Sequence, residues 1–214
     1  MTLLQSPTAL NTWTPIAWDD FAQLIEQPEH QNHKAYYYNG RMRIEAMLTG
    51  LDHSDTHALL MSLVSLFCIV RGIPIRSRDA CSYRHPNFTE FQPDASYYIG
   101  DNANCIPKGT RIVNLEQYPK PDLVIEVSDT TLSDDKGEKR LQYEELRIFE
   151  YWILDVQILK IIAFKINSNF GSDRIRTSKV LSGFSLDLAE EALARSVSLN
   201  HTAAGAWFME QLAK

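Results

Sequence analysis

The sequence predicts a mixed α/β fold, because stretches typical of strands and stretches typical of helices alternate along the chain. The clearest are a strand pair around Asn39-Gly40, a long apolar helical stretch after it, and a short apolar strand at 123–127 that precedes another helical stretch. With 44% hydrophobic and 22% charged residues, the composition is that of a globular protein. We expect a loose arm at 1–17 and then a single domain at 18–214.

Turn signals and hydrophobic periodicity divide the first half of the chain. A short helix opens at Trp18 and ends before Pro28, with Asp19 or Asp20 as its expected cap. Asn39-Gly40 supplies the positive φ angles of a type I′ turn and therefore predicts a hairpin. The expected elements that follow are the hairpin strands at 36–38 and 41–47, a buried helix at 55–71, two strands within 73–99 and a long loop at 100–121.

The second half contains the remaining predicted elements. After the strand at 123–127, acidic residues near 133–135 favour the start of a helix that continues to about 146. A strand pair is expected at 151–154 and 158–166, turning at 155–157. The predicted core of the domain thus spans about 35–166, and a final strand and an amphipathic helix lie within 174–214.

Charge and cysteine content restrict the function. The 27 acidic and 21 basic residues give a net charge of −6, so nucleic-acid binding would have to use a local basic patch. Three cysteines without a Cys-x-x-Cys pair argue against a disulfide framework or a zinc ribbon. The longest apolar run is 12 residues, against about 20 for a bilayer span, and no export signal precedes it. We expect a cytoplasmic protein with no membrane partner.

Glu126 is the most informative residue, since it lies inside an otherwise apolar strand. A carboxylate there needs a partner or a cation, because burial of an unpaired charge is very costly. The alternative is an edge strand on which Glu126 faces water. The pattern alone leaves both interpretations open.

A metal site would need a second carboxylate close to Glu126. Asp122 is four residues earlier and therefore about 13 Å away on an extended strand. Asp94 begins another predicted strand, and neighbouring strands lie about 4.8 Å apart, so Asp94 and Glu126 side by side could hold one Mg²⁺. The alternative for Asp94 is an ordinary turn aspartate after Pro93.

A cation is expected near the same strand. Asp135, Lys139 and Tyr143 fall on one face of the predicted helix, from which the lysine could reach a phosphate or a water. The alternative is a solvated helix face with an Asp135–Lys139 ion pair.

His53 and His57 have the spacing of a helical zinc site but lack the glutamate of His-Glu-x-x-His, so we do not favour zinc.

The order of these motifs resembles the Uma-type family of putative restriction endonucleases. The resemblance covers roughly 18–166 and depends on three segments: 121–128, then Asp135, Lys139 and Tyr143, then 150–155. It implies a PD-(D/E)xK nuclease fold, in which helices flank a mixed sheet that carries a Mg²⁺-dependent phosphodiesterase site. The residues at 38–45, the helix with His57, and Pro93-Asp94 are similar to that family in order and spacing.

The resemblance also implies which residues form the site. The metal ligands would be Asp94, Glu126 and the carbonyl of Val127. Ser128 occupies the usual lysine position, so the lysine would be Lys139 on the following helix, with Lys136 as the alternative. Glu45 and His57 would be further catalytic residues. The residue pattern alone offers different interpretations of these two: Glu45 paired with an arginine such as Arg43, and His57 as a satisfied core histidine.

The function implied is Mg²⁺-dependent endonucleolytic hydrolysis of nucleic acid, with DNA as the expected substrate, Mn²⁺ as a possible substitute ion and a homodimer as the expected assembly. The local basic patch would draw on six residues: Arg71, Arg76, Arg78, Arg84, Lys136 and Arg140. Two alternatives stay open. One is a nuclease-like fold retained as a nucleic-acid-binding or oligomerisation module, and the other is a hydrolase of small phosphoesters.

Overall fold

The chain forms twelve strands and six α-helices within the residues that this computed structural model describes, 10–30, 33–46 and 50–214. The strands are β1 (Thr14–Pro15), β2 (His33–Tyr38), β3 (Arg41–Ala46), β4 (Ile75–Asp79), β5 (Ser82–His85), β6 (Thr89–Phe91), β7 (Ala95–Ile99), β8 (Ile112–Asn114), β9 (Leu123–Ser128), β10 (Glu150–Asp155), β11 (Lys160–Ile166) and β12 (Ser172–Ile175). The helices are α1 (Trp18–Ile25), α2 (Leu51–Arg71), α3 (Leu132–Lys136), α4 (Glu138–Glu145), α5 (Leu186–Ser196) and α6 (His201–Leu212). Short 3-10 helices cover Pro28–His30 and Gly100–Asn104.

The strands form two six-stranded mixed sheets, and helices flank them, so the predicted α/β class is confirmed. One sheet has the order β1-β3-β2-β6-β5-β8, and the other has the order β12-β11-β10-β9-β7-β4. In the second sheet, β9 and β10 run parallel while every other neighbouring pair is antiparallel. Where we expected one mixed sheet, the chain forms two.

The chain divides into two compact units, each assembled from three separated segments. The smaller unit comprises Met1–Leu48, Ser82–Gln92 and Gly109–Tyr118, and the larger comprises Thr49–Cys81, Pro93–Lys108 and Pro119–Lys214. Because the segments interleave, the division is not a single boundary in the sequence. The single domain at 18–214 stays a prediction.

The smaller unit contains the predicted hairpin. Tyr38 pairs with Arg41 across the turn, and Asn39 and Gly40 have φ angles of 50° and 69°, as a type I′ turn requires. Met47, the last residue of the predicted strand, lies outside the described residues. Tyr37 packs on Phe21 of α1, with ring centroids 5.0 Å apart, and this contact holds the helix to the sheet.

Two expectations for the start of the chain are wrong. The predicted arm is not loose throughout, since Thr14 pairs with Met42 and the Asn11 N–H donates to the Ile44 carbonyl. The N-cap of α1 is Ala17, without a side-chain cap bond, rather than Asp19 or Asp20. Residues 1–9 of the arm lie outside the described residues.

Helix α2 forms the centre of the larger unit. Leu59, Leu63 and Phe67 are at most 1% exposed and pack in the core with residues of β7, β9, β10, α5 and α6. Among the described helices, α2 alone is long and apolar enough by composition to cross a membrane, whereas the 12-residue apolar run had predicted no such segment. Burial of its inner face in the core accounts for that composition.

Several predicted elements of the larger unit differ in detail. Residues 73–99 contain four strands rather than two, and the C-terminal helix is two helices, α5 and α6. The predicted helix from 133 to 146 is interrupted at Gly137, which separates α3 from α4. The predicted strand pair at 151–166 is confirmed as the antiparallel pair β10 and β11.

Glu150 is a structural carboxylate at the start of β10. Its side chain is fully buried and accepts hydrogen bonds from the Trp152 indole at 3.1 Å, the Ser178 hydroxyl at 2.8 Å, and the N–H groups of Lys179 and Val180. These partners satisfy a buried charge and attach the segment before α5 to the sheet. Glu150 therefore has a structural explanation for its place in the family-like segment at 150–155.

Gly137 provides a test of the helix break. A Cβ at this position would lie 3.0 Å from the Ser133 carbonyl oxygen, a backbone atom that cannot move aside freely. We expect Gly137→Ala to lower the free energy of unfolding by about 1–3 kcal/mol, measured by urea denaturation. Gly50→Ala is the control: no atom of the described residues lies within 4 Å of a Cβ placed on Gly50, so a loss below about 1 kcal/mol is expected. An equal loss in both variants would contradict the steric explanation.

Candidate active site

Glu126 lies in the interior of the second sheet. Strand β9 is bordered by β10 and β7, and Glu126 is 1% exposed, so the edge-strand interpretation is wrong. Its neighbours Ile125 and Val127 point into the core beneath α2. Because side chains alternate along a strand, Glu126 points to the opposite face, where α4 lies.

Asp94 comes directly before β7, the strand paired with β9. Ala95 pairs with Ile125 in antiparallel register, so one further step places Asp94 opposite Glu126, with Cα atoms about 5 Å apart. Asp94 Oδ2 accepts the Val127 N–H at 2.7 Å, and the side chain is largely buried. The two carboxylates therefore belong to neighbouring chain segments, as the predicted site requires.

Lys139 extends from α4 towards Glu126. Its Nζ lies 3.6 Å from Glu126 Oε2 and 3.0 Å from Asp135 Oδ1. Lys139 is 1% exposed, so the interpretation of a solvated helix face is wrong, although the ion pair with Asp135 does form. Lys136 is exposed to solvent. Burial and distance therefore favour Lys139 over Lys136 as the lysine of the site.

Hydroxyl groups fix the orientation of these charges. The Tyr143 hydroxyl donates to Glu126 Oε1 at 2.7 Å, and the Thr131 hydroxyl donates to Asp135 Oδ2 at 2.7 Å. Tyr151 donates to the Asp135 carbonyl at 3.0 Å, and burial, reinforced by the charge of Asp135, raises its pKa well above the usual range. Tyr151 therefore stays protonated and keeps donating at physiological pH.

The charge of the cluster suits a cation. Glu126 and Asp135 supply two buried carboxylates to the one ammonium of Lys139, and Asp94 on the neighbouring segment lies beside His53. Carboxylate and carbonyl oxygens are the ligands that Mg²⁺ and Mn²⁺ prefer. Among the described residues, however, no three His, Cys, Asp or Glu side chains stand together as a metal-binding group. An ion held by Asp94, Glu126 and the Val127 carbonyl would therefore keep several water or phosphate ligands, as Mg²⁺ commonly does.

Helix α2 brings a histidine to Asp94 that the sequence had not assigned to this site. His53 Nε2 lies 3.6 Å from Asp94 Oδ2, whereas His57 Nε2 lies 3.9 Å from Asp79 Oδ1. The two rings are 6.1 Å apart, one turn along the same helix face. The signal that could have found His53 was its position one turn before His57. The geometry favours His53 as the histidine beside Asp94, and the role of His57 stays a prediction.

Glu45 belongs to the smaller unit. Arg43 Nε donates to Glu45 Oε1 at 2.6 Å, and both side chains are largely buried. This pair is the arginine partnership that the sequence offered as the alternative to a catalytic role. Glu45 therefore has a structural explanation within its own unit.

Three arginines of the predicted basic patch are paired with neighbouring side chains. Arg84 pairs with Glu90 in the smaller unit, Arg76 donates to Asn104 at 2.6 Å, and Arg140 lies beside Glu144 at 3.6 Å. These arginines have local partners. Lys136 is exposed to solvent and lies three residues before Lys139 in the sequence.

Comparisons with known proteins agree with the fold described above. Residues 18–194 match a family model described as Uma2, putative restriction endonuclease. The crystal structure of a putative nuclease belonging to DUF820 from Anabaena variabilis is similar in fold, with a TM-score of 0.56 and 17% sequence identity, over 84% of this chain and 99% of that one. No curated protein matches the chain. At that identity the structural match supports the fold alone.

Proposed function

The chain belongs to the Uma2 family of putative restriction endonucleases, and from this premise we propose that it is a Mg²⁺- or Mn²⁺-dependent endonuclease that hydrolyses phosphodiester bonds in nucleic acid. The observation that carries the proposal is the buried carboxylate of Glu126, which has Tyr143 and Lys139 as partners and Asp94 at the opposed position.

Asp94, Glu126 and the Val127 carbonyl are the groups proposed to hold the cation. When bound, the ion would polarise a phosphoryl oxygen and make a bound water more acidic. Asp94 Oδ2 already accepts the Val127 N–H at 2.7 Å, which fixes the orientation of that carboxylate. Tyr143 does the same for Glu126 Oε1. Both carboxylates are thus oriented by protein groups before any ligand arrives.

The chain's own residues then act on the substrate. Lys139, held by Asp135, would stabilise the negative charge that develops on the phosphoryl group as water attacks. The water adds its OH to phosphorus, the bond from phosphorus to the leaving oxygen breaks, and the remaining proton goes to that oxygen. The products are a phosphate monoester end and a hydroxyl end.

DNA is the proposed substrate, and a homodimer is the proposed assembly. Cutting both strands of a duplex in one binding event needs two sites, and a symmetric dimer supplies them. Because the chain carries a net charge of −6, substrate binding should depend on few phosphate contacts. We therefore expect weak binding that falls moderately with salt.

A titration with divalent ions tests the proposed metal site directly. Saturation with Mg²⁺ or Mn²⁺ at about 100 times Kd should raise the free energy of unfolding by about 2.7 kcal/mol, measured by thermal denaturation. Asp94→Asn should abolish most of this stabilisation, because the variant keeps a similar shape but loses a charge that faces the ion. Asp101→Asn, an exposed aspartate of the larger unit, is the control and should retain it. No stabilisation by either ion would contradict the proposal.

The second candidate is a nuclease-like protein that binds nucleic acid without cleaving it. The observation in its favour is that no three metal-ligating side chains stand together among the described residues. Such a protein would bind DNA equally well with EDTA or Mg²⁺ and would leave it intact. Incubation of a supercoiled plasmid with each ion, followed by gel electrophoresis, separates the two candidates.

A further inference from the structure

The smaller unit contains a cavity of about 930 Å³ that the proposed active site does not use. Its walls come from the end of α1 and from β2, β5, β6 and β8, and its lining includes His30, His33, Arg84, Glu90 and Arg111. The volume falls within the range of about 300–1,000 Å³ that is typical of ligand pockets. The mixture of cations, carboxylates and imidazoles indicates a polar ligand.

His30 is the strongest indication that something binds there. Its side chain is only 10% exposed, yet neither ring nitrogen has a hydrogen-bond partner among the described residues. The nearest acid, Glu29, lies 3.8 Å from Nε2, beyond hydrogen-bond distance. The ring of His33 lies 5.7 Å away, and its Nδ1 also lacks a partner within the described part of the chain. A ligand in the cavity would satisfy these nitrogens, which are costly to bury unpaired.

The charges of the cavity define the kind of ligand. Glu26 and Glu90 balance Arg84 and Arg111, so the site does not select a strong anion or a strong cation overall. Arg84 donates to both oxygens of Glu90, from Nε to Oε2 at 2.5 Å and from Nη2 to Oε1 at 3.3 Å. Burial raises the pKa of Glu90 in spite of that pair. A guanidinium beside a carboxylate presents donors and an acceptor in one plane. This edge suits a neutral heterocycle that has both acceptors and donors.

We propose that the cavity binds a guanine nucleotide, with the base among His30, His33 and the Arg84–Glu90 pair and the phosphate at Arg111. Guanine presents O6 and N7 as acceptors to a guanidinium, and its ring N–H and amino groups can donate to a carboxylate. Arg111 is exposed at the rim, where a phosphate would stay solvated. The choice of a nucleotide rests on the proposed function, since an amino acid also combines donors and acceptors.

Isothermal titration of the full chain with 5′-GMP in EDTA tests this proposal without any cleavage. We expect binding with a Kd below about 1 mM, and a loss of about tenfold or more in His30→Leu and in Arg111→Ala. Lys108→Ala removes the same charge from an exposed lysine close in sequence to Arg111 and should bind as the wild type does. Because Arg111 is exposed, Arg111→Ala should fold normally. If His30→Leu does not fold, the affinity of Arg111→Ala for 5′-GMP still tests the proposal.

The source of the nucleotide is tested with oligonucleotides. If the cavity takes a base from the substrate, a single-stranded oligonucleotide that contains one guanine should bind more tightly than the same oligonucleotide with thymine at that position. Tighter binding of 5′-GMP than of either strand would identify a free nucleotide as the ligand. The proposal is overturned if 5′-GMP does not bind at about 10 mM, if AMP or glutamate binds equally well, or if both variants bind like the wild type. Failure of cleavage with retained 5′-GMP binding would instead reject only the proposed activity.

Discussion

Glu126→Gln is expected to lower the rate of nucleic-acid cleavage by about a thousandfold or more, while the chain stays folded. Glutamine has nearly the same shape and can still accept from the Tyr143 hydroxyl through its amide oxygen. The substitution removes the negative charge that would hold the cation. It also leaves Lys139 with Asp135 as its carboxylate partner, 3.0 Å away. The measurement is the initial rate on a plasmid substrate with saturating Mg²⁺ or Mn²⁺.

The control for this variant is Glu190→Gln. Glu190 is a buried carboxylate of the larger unit that pairs with Lys160 at 3.0 Å and Arg176 at 2.8 Å. Its replacement should lower stability by less than about 2 kcal/mol, because the side chains of both cationic partners are largely solvated. It should leave cleavage intact at a temperature where the protein is folded. Equal cleavage by Glu126→Gln and the wild type would reject Glu126 as a metal ligand.

Lys139→Met should reduce both stability and cleavage. Methionine has a similar length and no charge, so Glu126 and Asp135 would remain buried without their shared cation. Breaking a buried ion pair in this way costs about 3–5 kcal/mol, and urea denaturation would measure the loss. Cleavage should fall by about a hundredfold or more, since the developing phosphoryl charge loses its ammonium.

Lys136→Met provides the matched control, because it makes the same substitution three residues away on an exposed position. We expect it to change stability by less than about 0.5 kcal/mol. The double variant Lys139→Met with Asp135→Asn should recover part of the lost stability, since it removes one of the two uncompensated carboxylates. If the double variant regained stability but not cleavage, the contribution of Lys139 to folding would be separated from its contribution to cleavage. A Lys136 variant that lost cleavage while Lys139→Met kept it would reverse the assignment.

Local signals in the sequence predicted much of the fold. The Asn39-Gly40 turn, the α2 stretch and the β10–β11 pair each depend on residues close together in the chain, and each was confirmed. The four strands within 73–99 were not predicted, because β4 and β7 belong to one sheet and β5 and β6 to another. Which sheet a short strand joins depends on long-range pairing that periodicity does not encode.

For the candidate site, the sequence predicted which residues take part better than it predicted how buried they are. Glu126 in an apolar run indicated that a buried charge needs partners, but the run alone could not separate an interior strand from an edge. The sequence placed Lys139 on a helix face but did not predict its burial, which goes with the contacts of Lys139 and Tyr143 with Glu126 on β9. His53 was missed because its approach to Asp94 depends on where α2 begins.

The division of the site between a strand and a separate helix has a mechanical consequence. In a Glu-x-Lys arrangement, carboxylate and ammonium sit on one strand, so their separation is set by covalent geometry. Here it is set by how firmly the α3–α4 segment docks, through contacts such as Tyr143 with Glu126 and Tyr151 with the Asp135 carbonyl. A displacement of that segment by a few ångström would separate Lys139 from Glu126 while every strand pairing of the sheet stays intact.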